Sequence, residues 1–160
     1  MADLVVTLTE TLTLATGTIS STRAETVGSI VDAYKRIVTC PANVDTTIAT
    51  FDAAISDATT CPFDIEAVKY IRVTNLDGSN SLTLSLQVEV GEDDTGADTS
   101  TSLLVEAGKS FMLGSPHDGI GAVASGSFNA NLVTDLVDLD SLVVQPGSNA
   151  VDVEVYVASA

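Results

Sequence analysis

AVKYIRVTNLDGSNSLTLSLQVEV, residues 67–90, contains two strand patterns and the turn that joins them. In its second half Leu82, Leu84, Leu86, Val88 and Val90 alternate with Ser81, Thr83, Ser85, Gln87 and Glu89. That is the period of a strand with one buried face and one wet face. Slipping the register by one residue would put every leucine in water, so the pairing is strongly specified. In the first half Val68, Tyr70, Ile71 and Val73 put apolar groups on both faces, and Lys69 and Arg72 can lay their stems along a sheet. Such a strand belongs in a sheet interior. Between the halves, Asn75, Asp77, Ser79 and Asn80 offer side chains that bond their own backbone, and Gly78 is free to take positive φ. The stretch predicts a central hairpin.

Upstream, Leu4, Val6, Leu8, Leu12 and Leu14 alternate with Val5, Thr7, Thr9, Thr11 and Thr13, interrupted by Glu10, which predicts a long first strand bent or re-paired at Glu10. Residues 15–28, small and polar with two glycines, read as a loop with at most a short strand. A second strand is expected over residues 29–38, ended by Pro41, and a third over 44–51. Ile48, Phe51 and Ile55 also fit a helical spacing. Residues 52–66 read as a loop or a single helical turn. Downstream, residues 91–98 form a solvated connection, and 103–106 and 109–113 are short strands around Ala107 and Gly108. Residues 114–121 are too turn-dense for a regular element. Residues 122–143 read as two strands broken near Asp138. Val151, Val153, Val155 and Val157 alternate with Asp152, Glu154 and Tyr156 as a final strand tied into the sheet. Gly78-Ser79-Asn80-Ser81 before Leu82 is echoed by Gly147-Ser148-Asn149-Ala150 before Val151. The echo marks either equivalent hairpins in two sheets of one sandwich or the common preference of turns for Gly, Ser and Asn. Nine or ten short strands with turn signals between them predict one all-β domain over residues 1–160, an antiparallel β-sandwich or a jelly-roll-like barrel.

The chain carries 6 basic against 22 acidic residues, a formal net charge of −16. Binding a phosphate backbone needs clustered Lys and Arg, and only Lys35 and Arg36 are neighbours, so no nucleic-acid partner is expected. The acidity suits a soluble, self-repelling protein in a salty medium, where the Debye length falls to ~4 Å. No run approaches the ~18 apolar residues that span a bilayer, so no membrane partner is expected. Residues 1–3 have no basic n-region, which predicts synthesis in a cytoplasm without a secretory signal.

Candidate chemistry is thin. Ser115, His117 and Asp118 are residue types of a nucleophile, base and orienter, but sequence neighbours rarely form the hydrogen-bond chain a triad needs. Glu92, Asp93, Asp94 and Asp98 offer oxygens suited to Ca²⁺ without the order of a calcium loop. Cys40 and Cys61 sit in matching Thr-Cys-Pro contexts. They form either a disulfide or a pair of buried thiols, and with one distant His they cannot close a zinc site within one chain. No catalytic, cofactor-binding or metal residues are therefore assigned, and no enzymatic activity is expected. Seven aromatics and no Trp also leave little for a glycan-binding face.

Three runs, MADLVVTLTETLTL (1–14), VKYIRVTNLD (68–77) and AGKSFMLGSP (107–116), together resemble a recurrent type of small β-rich structural protein of tailed phages of marine bacteria. The resemblance covers about a fifth of the chain and departs from the pattern after Leu14, where Ala15-Thr16-Gly17 replaces an expected Asn-Gly turn. It implies a virion component and transfers no functional residues. Of the places in a virion, the outer capsid surface suits the charge best. The expectation is a decoration or cement protein bound to the major capsid protein as a homo-oligomer, such as a trimer. A tail or head–tail connector subunit is the alternative, and a secreted glycan-binding module the third reading.

Overall fold

The computed structural model describes residues 2–52, 62–65, 67–88, 99–114, 121–122 and 137–160. Among them are twelve strands and no helix: β1 (Ala2–Leu14), β2 (Gly17–Ile30), β3 (Asp32–Cys40), β4 (Thr46–Asp52), β5 (Pro62–Asp64), β6 (Val68–Asn75), β7 (Leu82–Val88), β8 (Thr99–Val105), β9 (Ser110–Gly114), β10 (Gly121–Ala122), β11 (Val137–Pro146) and β12 (Val151–Ser159). A small sheet runs β3-β12-β6-β9, a larger one runs β5-β4-β11-β7-β8 with β10 on β11, and β1 and β2 form a separate ribbon.

The two large sheets are a jelly roll. Strands pair from the outside of the chain inward, β3 with β12, β4 with β11, β6 with β9 and β7 with β8, the winding of one long hairpin rolled into two sheets. The three-residue β5 adds a parallel edge beside β4 and opens with Pro62, whose missing N–H is tolerated only at an edge or strand start.

Alternation built the core as the sequence predicts. Leu82, Leu84 and Leu86 from the larger sheet and Val153 and Val155 from the small one are buried in a single cluster with Val68, Ile71, Val73, Leu142 and Val144. Strand β6 is indeed interior, between β12 and β9, and buried on both faces. The final strand lies at the centre of the small sheet, and the Ala160 amide donates to the Ala67 carbonyl at 2.8 Å.

Four expectations are corrected. First, β6 and β7 are not a hairpin: they lie in opposite sheets, and the residues between them arch from one to the other. A tight two-residue turn pairs its strands, whereas six residues can span the ~10 Å between packed sheets. Strands β8 and β9 likewise fall in different sheets, their turn using Gly108 at φ 68°. Second, residues 17–28 are no loop but part of the 14-residue β2. Thr18, Ile19, Thr22, Thr26 and Val27 are strand formers that the small polar residues around them obscured. Glu10 pairs in regular register with Ser21, so the strand is not re-paired there. Third, β3 begins at Asp32, after Ser29 at φ 63° and the break at Val31. Fourth, β11 runs through Asp138, and its irregularity is a register shift between Leu139 and Ser141. That extra residue brings Leu139 onto the buried face with Leu142, a three-residue spacing that imitates a helix. The remainder of the expected strands over 122–143 lies outside the described residues.

Candidate functional site

The feature with no role in the jelly-roll core is the β1–β2 ribbon. Thirteen residues of strand reach about 40 Å, far longer than a connection between elements requires. Its tip is closed by Ala15 and Thr16, neither of which takes positive φ. The turn instead spends its positive φ on Gly17, at 150°, so the ribbon forms without an Asn-Gly pair.

Cross-strand register sorts the ribbon into two unlike faces. One carries Thr7 opposite Ala24, Thr9 opposite Thr22, Thr11 opposite Ser20 and Thr13 opposite Thr18. The Thr22 hydroxyl lies 3.5 Å from that of Thr9. The other carries Leu4 opposite Val27, Val6 opposite Glu25, Leu8 opposite Arg23, Leu12 opposite Ile19, and Leu14. A β-bulge between Ala2 and Leu4, with Ser29 in the left-handed region, lets Val27 and Ile30 both turn inward although they are three residues apart.

At its base the apolar face is satisfied. Val27 and Ile30, with Leu4 and Val6, pack on Tyr70, Tyr156 and Ala158, which lie on the outer face of the small sheet. Tyr70 and Tyr156 meet edge to face at 6.0 Å. Burial pushes the Tyr70 phenol up. Gly114, paired with Tyr70, leaves room for its ring: a Cβ there would sit 3.2 Å from Tyr70 Cδ2. Further out, no described residue of another element packs on the same face. Leu8, Leu12, Leu14 and Ile19 are 49%, 53%, 49% and 63% exposed. Between the ribbon and the sheet lies a cleft of about 370 Å³, lined by Val6, Leu8, Val27, Tyr70, Met112 and Gly114 together with the charged Arg23 and Glu25.

The rest of that outer face is held by charge. Glu154 accepts from Lys35 Nζ at 2.8 Å and from Arg72 Nη2 at 2.6 Å, and the guanidinium lies 5.6 Å from the Tyr156 ring centre. The Lys35 hydrogen bond, helped by that from Arg72, holds the Glu154 carboxyl below the usual range against the opposing effect of burial. Ile37 and Met112 are exposed on the two edge strands of this sheet.

At one end of the sandwich two arches meet. Asn75 is fully buried: its Nδ2 donates to the carbonyls of Asn80 at 2.8 Å and Val105 at 3.2 Å, and its Oδ1 accepts from the Asp77 amide at 3.0 Å. Asp77 Oδ1 accepts from the amides of Ser79 and Asn80, each at 2.7 Å, which hold its carboxyl below the usual range. Asn149 Nδ2 donates to Asn80 Oδ1 at 3.0 Å. The echo of Gly-Ser-Asn in the sequence does not mark equivalent hairpins: both connections cross from one sheet to the other, and they meet at the Asn149–Asn80 hydrogen bond.

Of the residues singled out for chemistry, Cys40 is fully buried and its thiol is pushed up by burial, the state of an inert thiol. Cys61, Ser115, His117, Asp118, Glu92, Asp93, Asp94 and Asp98 lie outside the described residues. Among the described residues no three His, Cys, Asp or Glu side chains are grouped to hold a metal ion, and no helix is long and apolar enough to cross a membrane. The ribbon's outer half was missed because β2 carries few apolar residues, although Ile19 and Val27 already matched Leu12 and Leu4 in parity and spacing. Against known proteins, the chain matches no family model, no curated protein and no solved structure.

Proposed function

We propose that this protein is a structural subunit of a tailed-phage virion, a decoration or cement protein seated on the outer surface of the capsid through the major capsid protein. The observation that carries the reading is the ribbon. A two-stranded ribbon is marginal in water, and this one extends an apolar face past the body that anchors it. Such an arm has its use in an assembly, where a neighbouring surface covers it.

Other features agree with a structural role. The jelly roll is an architecture of viral capsid domains, an analogy of fold that adds weight without assigning function. Of the 6 basic residues, Lys35 and Arg72 are committed to Glu154, which leaves no basic stripe for DNA. A charge of −16 faces water and salt outside a shell and would face a polymer of its own sign inside it. Lectins also use jelly rolls, but among the described residues no aromatic ring is exposed, so the sugar-stacking platform of a glycan-binding module is missing there. The reading assigns no catalytic step, and synthesis in the host cytoplasm accompanies it.

Antibody against the purified protein, applied to intact virions and imaged, tests the location. Label over the head is the expected result. Label confined to the tail would select a tail or connector subunit, and label appearing only after the head is opened would reject the outer surface.

A further inference from the structure

We infer that the distal half of the ribbon is an exchange arm for a second copy of this chain: the tip residues Leu12, Leu14 and Ile19 of one copy seat in the cleft between ribbon and small sheet of another, against Leu8, Tyr70 and Met112. The inference rests on the ribbon and its cleft, not on the presence of a shell.

Three observations choose this occupant. The first is continuity. The apolar face of the ribbon already packs on the outer face of the small sheet through Leu4, Val6 and Val27 against Tyr70, Tyr156 and Ala158. The distal half continues that face in the same register, with Leu8, Leu12, Leu14 and Ile19. The chemistry that fits this sheet is thus displayed twice, once used within the chain and once left for another molecule. The receiving surface is incomplete in the same way. The cleft beside Tyr70 is walled by Val6, Leu8, Arg23 and Glu25 of the ribbon on one side and Met112 on the other, and Met112 is 47% exposed.

The second is charge. All 6 basic residues lie in the ribbon (Arg23), in β3 (Lys35 and Arg36), in β6 (Lys69 and Arg72) or immediately before β9 (Lys109), and none lies on a strand of the larger sheet. Two chains of net charge −16 repel least when they meet on this side. Glu10, set among the ribbon's leucines, then approaches the basic side chains of the neighbour.

The third is area. The exposed ribbon segment is about 24 Å long and ~10 Å wide, and giving and receiving one such arm per copy buries on the order of 1,000 Å², the lower bound for a stable interface. The association therefore depends on salt in the sense opposite to an ion-paired one. Screening weakens the repulsion and leaves the apolar contact, so association strengthens as salt is raised.

Sedimentation velocity of the purified protein in low and in molar salt is the test, run on three forms. The wild type is expected to be oligomeric in molar salt. Leu12→Glu with Ile19→Glu should weaken association at least tenfold. Thr11→Glu with Ser20→Glu adds the same charge at the same height on the opposite face and should leave it within a few-fold of wild type. Should the first variant lose the folded melting transition, a mixture of Leu12→Cys and Met112→Cys chains decides instead, by a disulfide joining one to the other. A monomeric wild type in molar salt, equal loss from both charge pairs, or no cross-link in the mixture would overturn the inference. No shell enters the measurement, so its failure leaves the virion location standing, and failure of the location leaves the exchange arm standing.

Discussion

Asn75 concentrates much of what lets β6 turn into β7 across the sandwich. Its side chain replaces water for two carbonyls and one amide at a position with no solvent access. Asn75→Ala would leave those groups unpaired, and a loss of about 2–4 kcal/mol is expected in urea unfolding. Glu154 is the electrostatic counterpart on the outer face. Its carboxyl titrates below its unfolded value, so its contribution is complete above the ordinary carboxylate range and disappears as pH falls through the folded value. Glu154→Gln should cost about 1–2 kcal/mol at neutral pH, and its unfolding free energy should fall less steeply than wild type on the acid side. Asp77, depressed by the amides of Ser79 and Asn80, keeps part of that acid dependence in the variant. An unchanged acid slope in Glu154→Gln would show that the two cations do not set it.

At the scale of elements, strict alternation was legible and its interruptions were not. Leu82, Leu84 and Leu86, or Val153 and Val155, declare a strand with one dry face, and each is buried. Leu84→Ala should accordingly cost about 2–5 kcal/mol, read from the shift of the urea midpoint. The bulges are different in kind. Val27 and Ile30 share a face because Ser29 takes φ 63°, and Leu139 and Leu142 share one because the register shifts between them. A period of two cannot express either pair. Pairing partners were also hidden: the turn chemistry of residues 75–80 is visible in sequence, but the same Asx geometry serves a hairpin or an arch, and only the rest of the sandwich decides. Ser29→Val puts a β-branched residue in the left-handed region. A loss of about 1–2 kcal/mol and faster amide exchange through Val27 and Ile30 are expected, with the jelly-roll core keeping its protection.

Taken whole, the molecule divides its charge and its apolar surface. The interior of the sandwich is apolar, while the ribbon keeps Leu8, Leu12, Leu14 and Ile19 exposed and no basic residue lies on a strand of the larger sheet. The sandwich class was legible from strand patterns and turns. The arm was not, since nothing in a run of leucines and threonines distinguishes a strand facing a core from one facing a partner. The proposed place on a virion brings these features together: a stable body, an arm that needs covering, and a charge tolerated outside a shell. Attachment through apolar and backbone contacts does not weaken when charges are screened. The most direct test is co-sedimentation of the purified protein with shells assembled from the phage's major capsid protein alone, in molar salt. Saturable binding that persists as salt is raised is predicted. Failure to bind those shells, with retention on purified tails, would contradict the account.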